Sequence, residues 1–112
     1  MIVLINPFEV PDDVSDESFL AAWQEAAGYL RSQPGFVDAA LHAAISPDAR
    51  FRFVNVATWE SPAAFAAAVA TEGFRQLSRG DRTRNYPALY AVARRVGISD
   101  GPTPALEEGV LA

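Results

Sequence analysis

Cysteine is absent from this chain, and histidine occurs only once, as His42. Without cysteine the chain has no disulfide, no thiolate catalysis and no cysteine-ligated zinc or iron–sulfur site. A single histidine also excludes a histidine-rich metal cluster. The chain shows neither a glycine-rich phosphate loop nor a dinucleotide fingerprint. If the protein is an enzyme, we expect it to work through neutral polar groups and the reactivity of its substrate.

The sequence also lacks a long apolar run and an excess of positive charge. The apolar opening from Met1 to Ile5 is far shorter than the ~20 residues of a membrane-spanning helix. It has no basic segment and no small-residue cleavage site, so it does not look like a secretory signal. The net charge of −5 and the isoelectric point near 4.7 disfavour nucleic acid and anionic lipid as partners. We therefore expect a cytoplasmic protein.

What the sequence does contain is enough apolar material for one small core. Its 112 residues are 50% hydrophobic and 21% charged, which is typical of a single folded domain. Glycine, proline and serine are concentrated between Ser99 and Pro104, as in a linker. We expect a domain over residues 1–97 and a linker with a weak tail over residues 98–112.

Hydrophobic periodicity and turn residues indicate the order of helices and strands. Apolar, β-branched segments predict strands over residues 1–9, 36–45, 50–60 and 86–96. Ser15 caps a helix that ends before Pro34-Gly35, and Ser61-Pro62 begins a second helix, which a short helical turn over 74–79 follows. The order β-α-β-β-α-β, with helices on one face of an antiparallel sheet, predicts a ferredoxin-like α+β fold.

One face of such a sheet carries no helices, and here that face is predicted to be apolar. Alternation along the third strand places Val54, Val56 and Thr58 on it. The other residues expected there are Val3, Ile5, Val37, Ala39, Leu41, Leu89, Ala91 and Ala93. Because large exposed apolar patches are usually covered, we expect a homodimer whose two sheets pack face to face. The alternative is that the tail or a helix of the same chain covers this face.

Two asparagines lie inside apolar strands, where asparagine is depleted. Alternation places Asn6 beside Phe8 and Asn55 beside Phe53, on the face that the helices cover. A buried carboxamide without partners costs about 1–3 kcal/mol. Each asparagine either bonds a strand end or a bulge, or belongs to a functional site. Trp59, which adds one N–H donor, is either a core aromatic or part of the same site.

Further side chains are predicted to line an apolar pocket beside these three. The candidates for substrate binding are Phe8, Trp23, His42, Phe53, Phe65, Phe74 and Tyr86. The aromatic members either form the core or face a cavity. His42, which simple alternation places on the helix-covered face, either lines that cavity or is a satisfied strand histidine. A basic cluster, comprising Arg75, Arg79, Arg82 and Arg84, is either solvated surface or contains a gate for an anionic ligand.

Three segments carry a family signature. They are Leu4-Ile5-Asn6-Pro7-Phe8, Gln33-Pro34-Gly35-Phe36-Val37, and Phe53-Val54-Asn55-Val56-Ala57-Thr58-Trp59-Glu60-Ser61 followed by Ala64-Phe65. Together they resemble the antibiotic biosynthesis monooxygenase (ABM) domain, a dimeric α+β barrel, over about residues 2 to 96. The Pro-Gly-Phe turn is shared widely among such barrels. The first-strand asparagine and the Asn-x-x-x-Trp pair are similar to the cofactor-independent anthrone-type oxygenases of aromatic polyketide pathways.

This resemblance implies that Asn6, Asn55 and Trp59 are catalytic in an oxidation without metal, flavin or haem. An electron-rich polycyclic phenol or anthrone would lose a proton, and its enolate would pass an electron to O2. Recombination of the radicals and loss of water would leave a quinone. The two carboxamides would bind the enolate oxygens, and the Trp59 N–H would donate to the oxygen species.

Some residues depart from the relatives and leave alternatives open. Position 65 is Phe where some relatives have Tyr, so a phenol donor is missing. Haem-degrading relatives share the first-strand Asn and the Trp but carry a haem-ligating histidine on the second helix, and residues 63–79 contain none. The fold also includes isomerases and proteins without known activity. The alternatives are therefore a non-catalytic dimeric module that binds a small molecule, a non-oxygenase relative, and a haem-binding or haem-degrading protein.

Overall fold

The computed structural model describes residues 1–97, and the predicted linker and tail lie outside the described residues. Its elements are β1 (Ile2–Glu9), α1 (Asp16–Leu30), β2 (Phe36–Ala43), β3 (Phe53–Trp59), α2 (Pro62–Val69), α3 (Glu72–Ser78), β4 (Arg84–Asn85) and β5 (Ala88–Tyr90). The sheet has the antiparallel order β2-β3-β1-β4, and β5 also pairs with β1. The predicted ferredoxin-like α+β class is confirmed. In residues 1–97 no helix is both long and apolar enough to cross a membrane.

Each helix begins at a hydroxyl side chain. Ser15, Ser61 and Thr71 each accept a hydrogen bond from the backbone N–H three residues later, at 3.1, 3.1 and 3.2 Å. These bonds satisfy N–H groups that have no partner within the helix. Pro62 occupies the first turn of α2, where its missing N–H costs nothing. The two predicted N-caps are confirmed, and Thr71 explains why the second helical region is divided into α2 and α3.

Gly35 joins the end of α1 to the sheet at a point where no other residue fits well. Its φ is +89°, and a Cβ there would lie 2.4 Å from the Cβ of Ala64 in α2. Its carbonyl accepts a hydrogen bond of 2.8 Å from the N–H of Glu60. The glycine therefore lets β2, the end of β3 and α2 approach one another closely.

The last strand was predicted as one continuous strand over residues 86–96, and the structure differs from this prediction. β4 and β5 are short and separated by Tyr86 and Pro87, and no strand is assigned over residues 91–96. Pro87 has no N–H to donate, and neither does Pro7 in the neighbouring β1. Two prolines facing the same stretch of ladder interrupt the pairing. The predicted positions of Ala91 and Ala93 on the open sheet face therefore lie beyond the last strand.

A bulge near the start of β2 reverses the facing of the residues that follow it. Phe36 pairs with Trp59, but Asp38 pairs with Thr58, so Val37 is an extra residue in the strand. His42 consequently pairs with Val54 on the open face. The prediction that His42 faces the helices is wrong, because simple alternation does not hold across a bulge.

The open face is apolar, although its membership differs from the prediction. Ala39 and Leu41 pair with helix-facing residues of β3, and Leu89 pairs with helix-facing Leu4, so these three predictions are wrong. Val3, Ile5, Val54, Val56 and Thr58 lie on it as predicted, and Ala40, Ala88 and Tyr90 lie there as well, with the polar Asp38 and His42 at its β2 edge. Ile5 is 36% exposed and Tyr90 is 51% exposed. No element of residues 1–97 is packed on this face.

The helix-covered face carries two separate buried clusters. One contains Leu4, Ala57, Trp59 and Ala68, and the other contains Phe8, Phe19 and Phe53. In the second cluster the rings of Phe19 and Phe53 stack at 4.6 Å. Along β1 and β3 the residues between the two clusters are Asn6 and Asn55. The core is thus divided by a pair of carboxamides.

Candidate functional site

Asn6 and Asn55 form a cross-strand pair in the centre of the sheet. They are direct partners in the β1–β3 ladder, which places their Cβ atoms about 4.5–5.5 Å apart on the same face. Leu41 of β2 is the partner of Asn55 on the other side. The pairing follows from the uninterrupted antiparallel register of β1 and β3, so the sequence prediction that both asparagines share the helix-covered face is confirmed.

The carboxamide of Asn6 is held in one orientation by the backbone of Tyr86. The Tyr86 N–H donates to Oδ1 of Asn6 at 3.1 Å and also to the carbonyl of Pro7 at 3.1 Å. An N–H can only donate, so the atom facing Tyr86 has to be the oxygen of the carboxamide. The NH2 group of Asn6 is therefore the part of the carboxamide that is free to act as a donor.

Asn55 has an oxygen that is buried and has no partner. Its Oδ1 is the one buried side-chain polar atom of residues 1–97 that makes no hydrogen bond. An unsatisfied buried acceptor costs about 1–3 kcal/mol. Such an atom in a native protein indicates a bond that another molecule supplies, because protein structures otherwise pair nearly all buried polar groups. Oδ1 of Asn55 is therefore available to accept a hydrogen bond from a ligand or a water.

Trp59 is fixed by aromatic neighbours at the buried end of the site. It is 1% exposed, and its ring packs edge-on against Phe36 at 5.3 Å and Phe65 at 5.6 Å. Edge-to-face packing of this kind restricts the ring to one orientation. Phe65 comes from α2 and Phe36 from β2, so the sheet and the second helix hold the indole together.

A cavity of about 740 Å³ opens between the sheet and the helices, and all three residues line it. Its volume is in the range of small-molecule sites. Of the predicted substrate-binding residues, Phe8, Trp23, Phe65 and Phe74 line it as well. Most of the other lining residues are small or aliphatic, including Leu4, Ala22, Ala26, Ala27, Leu30 and Val69. The cavity is therefore an apolar slot whose buried polar groups are two carboxamides and an indole.

Three predicted substrate-binding residues lie elsewhere. Phe53 is 1% exposed and belongs to the cluster behind the cavity. His42 lies on the opposite face of the sheet. Tyr86 is 45% exposed, and its hydroxyl donates to the carboxylate of Glu9. In the register of the last strands on β1, Phe8 pairs with Asn85 and Ile5 pairs with Ala88, so Tyr86 lies opposite Pro7, away from the cavity.

The cavity mouth contains polar residues that sequence reasoning did not assign to the site. The loop after α3 contributes Gly80, Asp81 and Thr83, and the end of β4 contributes Asn85. Arg79 and Arg82 of the predicted basic cluster also line it, whereas Arg75 and Arg84 do not. Asn85 is the partner of Phe8 in the β1–β4 ladder. The signal that finds Asn85 is therefore a correct register for the short β4, which the sequence pattern does not provide.

An ion pair connects the two loops at this mouth. Arg82 donates to the carboxylate of Asp13, which lies between β1 and α1. The hydrogen bond from Arg82 lowers the pKa of Asp13, and the same bond raises the pKa of Arg82. Both side chains are more than half exposed, so solvent screens the pair. No group of three potential metal ligands occurs within residues 1–97.

A sequence model of the antibiotic biosynthesis monooxygenases matches residues 1–80. The chain belongs to the antibiotic biosynthesis monooxygenase family. Most of the ABM match falls on the elements that build the site, from β1 through α3.

Solved structures similar to this ABM domain include two oxygenase-type proteins. A candidate monooxygenase from Shewanella loihica PV-4 has 36% identity and a TM-score of 0.72, with 84% of this chain and 95% of that chain covered. SnoaB, a cofactor-independent oxygenase from Streptomyces nogalater, has 25% identity and a TM-score of 0.72, with coverages of 88% and 97%.

A third similar structure has a different ligand chemistry. A single-residue mutant of MhuD, solved with two manganese protoporphyrin IX molecules per active site, has 25% identity and a TM-score of 0.65, with coverages of 87% and 99%. No curated protein matches this ABM domain. Family membership therefore supports an oxygenase in general, and the residues of the cavity have to indicate which kind.

Proposed function

We propose that this ABM domain is a cofactor-independent monooxygenase that oxidises an electron-rich polycyclic phenol or anthrone to a quinone with O2. The observation that carries the proposal is the buried, unpartnered Oδ1 of Asn55 in an apolar cavity of about 740 Å³. A flat aromatic ligand with oxygen substituents on one edge fits both properties, because its rings replace water in the slot and its oxygens meet the carboxamides. The likeness to SnoaB supports the same chemistry.

In the proposed reaction the substrate itself is the reductant. Loss of a proton from the anthrone methylene gives an enolate, which transfers one electron to O2. The resulting radical and superoxide combine at the same carbon, and protonation gives a hydroperoxide. Loss of the remaining C–H proton with cleavage of the O–O bond gives the new carbonyl and water. One oxygen atom of O2 thus enters the product, and the other leaves as water.

The chain's residues bind and stabilise the species along this path. Asn6 offers its NH2 group to an oxygen of the enolate, since its own oxygen is engaged by Tyr86. Oδ1 of Asn55 accepts a hydrogen bond from a phenolic O–H of the substrate, and the Trp59 N–H donates to the oxygen species. Donors already in place when charge develops are worth about 10²–10³ in rate each. Polycyclic phenols of this kind are acidic, so the proposal needs no dedicated general base.

The residues present do not fit a haem ligated by histidine. The chain has one histidine, His42, and it lies on the sheet face opposite the cavity. The haem-binding alternative therefore lacks its ligand on this chain. A binding module without catalysis would use the same cavity, but it would bind its ligand without consuming O2.

The quaternary part of the proposal is a homodimer that uses the open sheet face. This face exposes Ile5 and Tyr90 and leaves Val56 half-buried, with no covering element from residues 1–97. A second copy packed through the same face would remove both patches from water by a twofold contact. Light scattering on the eluted protein tests it, since a dimer has twice the 12.1 kDa of the chain.

Oxygen uptake by chelator-treated protein tests the activity. The panel consists of anthrones and dihydroxynaphthalenes, and the quinone product is followed by its absorbance. We expect uptake above autoxidation, and its loss in Trp59→Phe, which keeps a ring against Phe36 and Phe65 but removes the N–H donor. Trp23→Phe is the matched control, because it removes the other tryptophan of the cavity without removing the proposed donor. Equal loss in both variants would contradict the role of Trp59.

A further inference from the structure

Tyr86 touches the site only through its backbone. Its N–H lies against Oδ1 of Asn6 at 3.1 Å, and it shares that bond with the carbonyl of Pro7. The segment lies in the gap between β4 and β5, where Pro7 and Pro87 have removed ladder bonds. The N–H that would normally serve the ladder alone is thereby also available to a side chain of β1.

The side chain of Tyr86 is anchored outside the cavity. Its hydroxyl donates to the carboxylate of Glu9, and its ring packs against Phe51 at 5.8 Å. Glu9 lies on β1, the strand that also carries Asn6, so the anchor and the acceptor belong to one rigid element. β4 is two residues long, and so short a strand does not hold its register strongly by backbone pairing alone.

The charges around the Tyr86 hydroxyl favour the anchored state at neutral pH. The hydrogen bond to Glu9, together with partial burial and the charge of that carboxylate, raises the pKa of Tyr86, and Arg84 acts in the opposite direction. The hydroxyl therefore stays protonated and continues to donate.

We propose that Tyr86 is a positioning residue. Its bond to Glu9 holds its backbone N–H against the oxygen of Asn6, so that Asn6 presents an NH2 group and not an oxygen to the cavity. The catalytic use of that NH2 group rests on the proposed function, whereas the geometric link between Tyr86 and Asn6 does not. Without the anchor the carboxamide turns more freely, and a donor is replaced by an acceptor for part of the time.

Nuclear magnetic resonance of the full chain tests the geometric link directly. The side-chain NH2 signals of Asn6 are assigned by their loss in Asn6→Ala. In Tyr86→Phe and in Glu9→Ala we expect these signals to shift and the backbone N–H of residue 86 to exchange about tenfold faster. In Glu9→Gln, which keeps an acceptor for the hydroxyl, both should return towards the wild-type values.

Tyr29→Phe is the matched control for a merely structural effect. It also removes a tyrosine hydroxyl bond, the 2.8 Å bond to Thr71, at the contact between α1 and α3. We expect it to lower the melting temperature without moving the Asn6 signals. If Tyr86→Phe and Glu9→Ala leave the Asn6 signals and the exchange at residue 86 unchanged, or if Tyr29→Phe changes them equally, the positioning role is wrong.

Turnover of 1,8-dihydroxyanthrone tests the consequence for catalysis. We expect Tyr86→Phe to lower kcat about fivefold, the effect of weakening one hydrogen bond in the transition state, with little change in KM. In an Asn6→Ala background the same substitution should have no further effect. Additive losses in the double variant would contradict the coupling. If the wild type has no turnover, the proposed function fails, and the resonance experiment still decides the link.

Discussion

Asn6 and Asn55 face each other across the β1–β3 ladder and separate the two apolar clusters of the core. One carboxamide has its oxygen bonded to the backbone of Tyr86, and the other has an oxygen with no partner in residues 1–97. A core optimised only for stability would place apolar side chains at both positions, as it does at the neighbouring pairs on this face, Leu4–Ala57 and Phe8–Phe53. The pair therefore costs stability, which is why the proposed function is centred on it.

Replacing Asn55 by leucine should have opposite effects on stability and on catalysis. Asn55→Leu removes an unsatisfied buried oxygen and extends the apolar core, so we expect the free energy of unfolding to rise by about 1 kcal/mol. The same change should lower kcat by about 10²-fold. Urea unfolding and anthrone turnover measure the two effects. A loss of more than about 1 kcal/mol in stability would mean that Asn55 has a structural partner after all.

Replacement by alanine should have opposite effects on stability at Gly35, which follows α1, and at Gly28, which lies within it. Gly35→Ala forces a Cβ to 2.4 Å from Ala64 at a φ of +89°, and we expect it to destabilise the protein by about 2–3 kcal/mol. Gly28→Ala is the control, since a Cβ there meets nothing within 4 Å. In a helix interior it should stabilise by about 0.5–1 kcal/mol. Thermal unfolding of both variants measures the difference, and similar shifts in both would contradict the close packing of β2 on α2.

Acid should weaken the ion pair between Asp13 and Arg82 at the cavity mouth. Because the pKa of Asp13 is lowered from 3.8 in the folded protein, its stabilisation is complete above that value and is lost as the pH falls through the folded-state pKa. Asp13→Asn should therefore lower stability slightly at neutral pH and have no effect at strongly acid pH. Unfolding at a series of pH values measures this, with Asp12→Asn as the control of equal charge. A stability deficit in Asp13→Asn that does not shrink in acid would disagree with the ion pair.

A charge on the open sheet face should dissociate the proposed dimer. Val56 lies at the centre of β3 on that face, so Val56→Asp places a carboxylate in the middle of the contact. We expect the variant to elute as a folded monomer at the mass of one chain. Ala67→Asp on the exposed side of α2 adds the same charge away from the face and should remain dimeric. Light scattering that gives equal masses for both variants would mean that the dimer uses another surface, or does not form.

The sequence predicts the facing of Asn6, Asn55 and Trp59 correctly because β1 and β3 pair without a bulge. In strands of that kind the facing of every residue follows from alternation. The facing of His42 could not be predicted, since the extra residue in β2, Val37, looks like any other apolar strand residue. A bulge is decided by the fit of β2 onto Trp59 and the Gly35 turn, which is a property of the packed structure.

The facing of Tyr86 and the residues of the cavity mouth could not be predicted from the sequence for a different reason. The facing of Tyr86 depends on the register in which the last strands pair with β1, and that pairing joins distant parts of the chain. The loop from Arg79 to Thr83 has no periodic pattern, and the structure places it at the cavity, where Arg82 pairs with the distant Asp13. Local pattern predicts the elements, and long-range contacts decide which loop residues reach the site.

The central claim is that the substrate alone reduces O2 in this cavity, and isotope labelling tests it most directly. Chelator-treated protein is supplied with 1,8-dihydroxyanthrone under ¹⁸O2. The mass and the amount of the quinone product are measured by mass spectrometry and compared with those of an uncatalysed reaction and of the Trp59→Phe variant. The account predicts catalysed formation of quinone that carries one ¹⁸O atom, with unlabelled product when the label is supplied as water. Label that comes from water, or formation no faster than in the uncatalysed reaction, would contradict it.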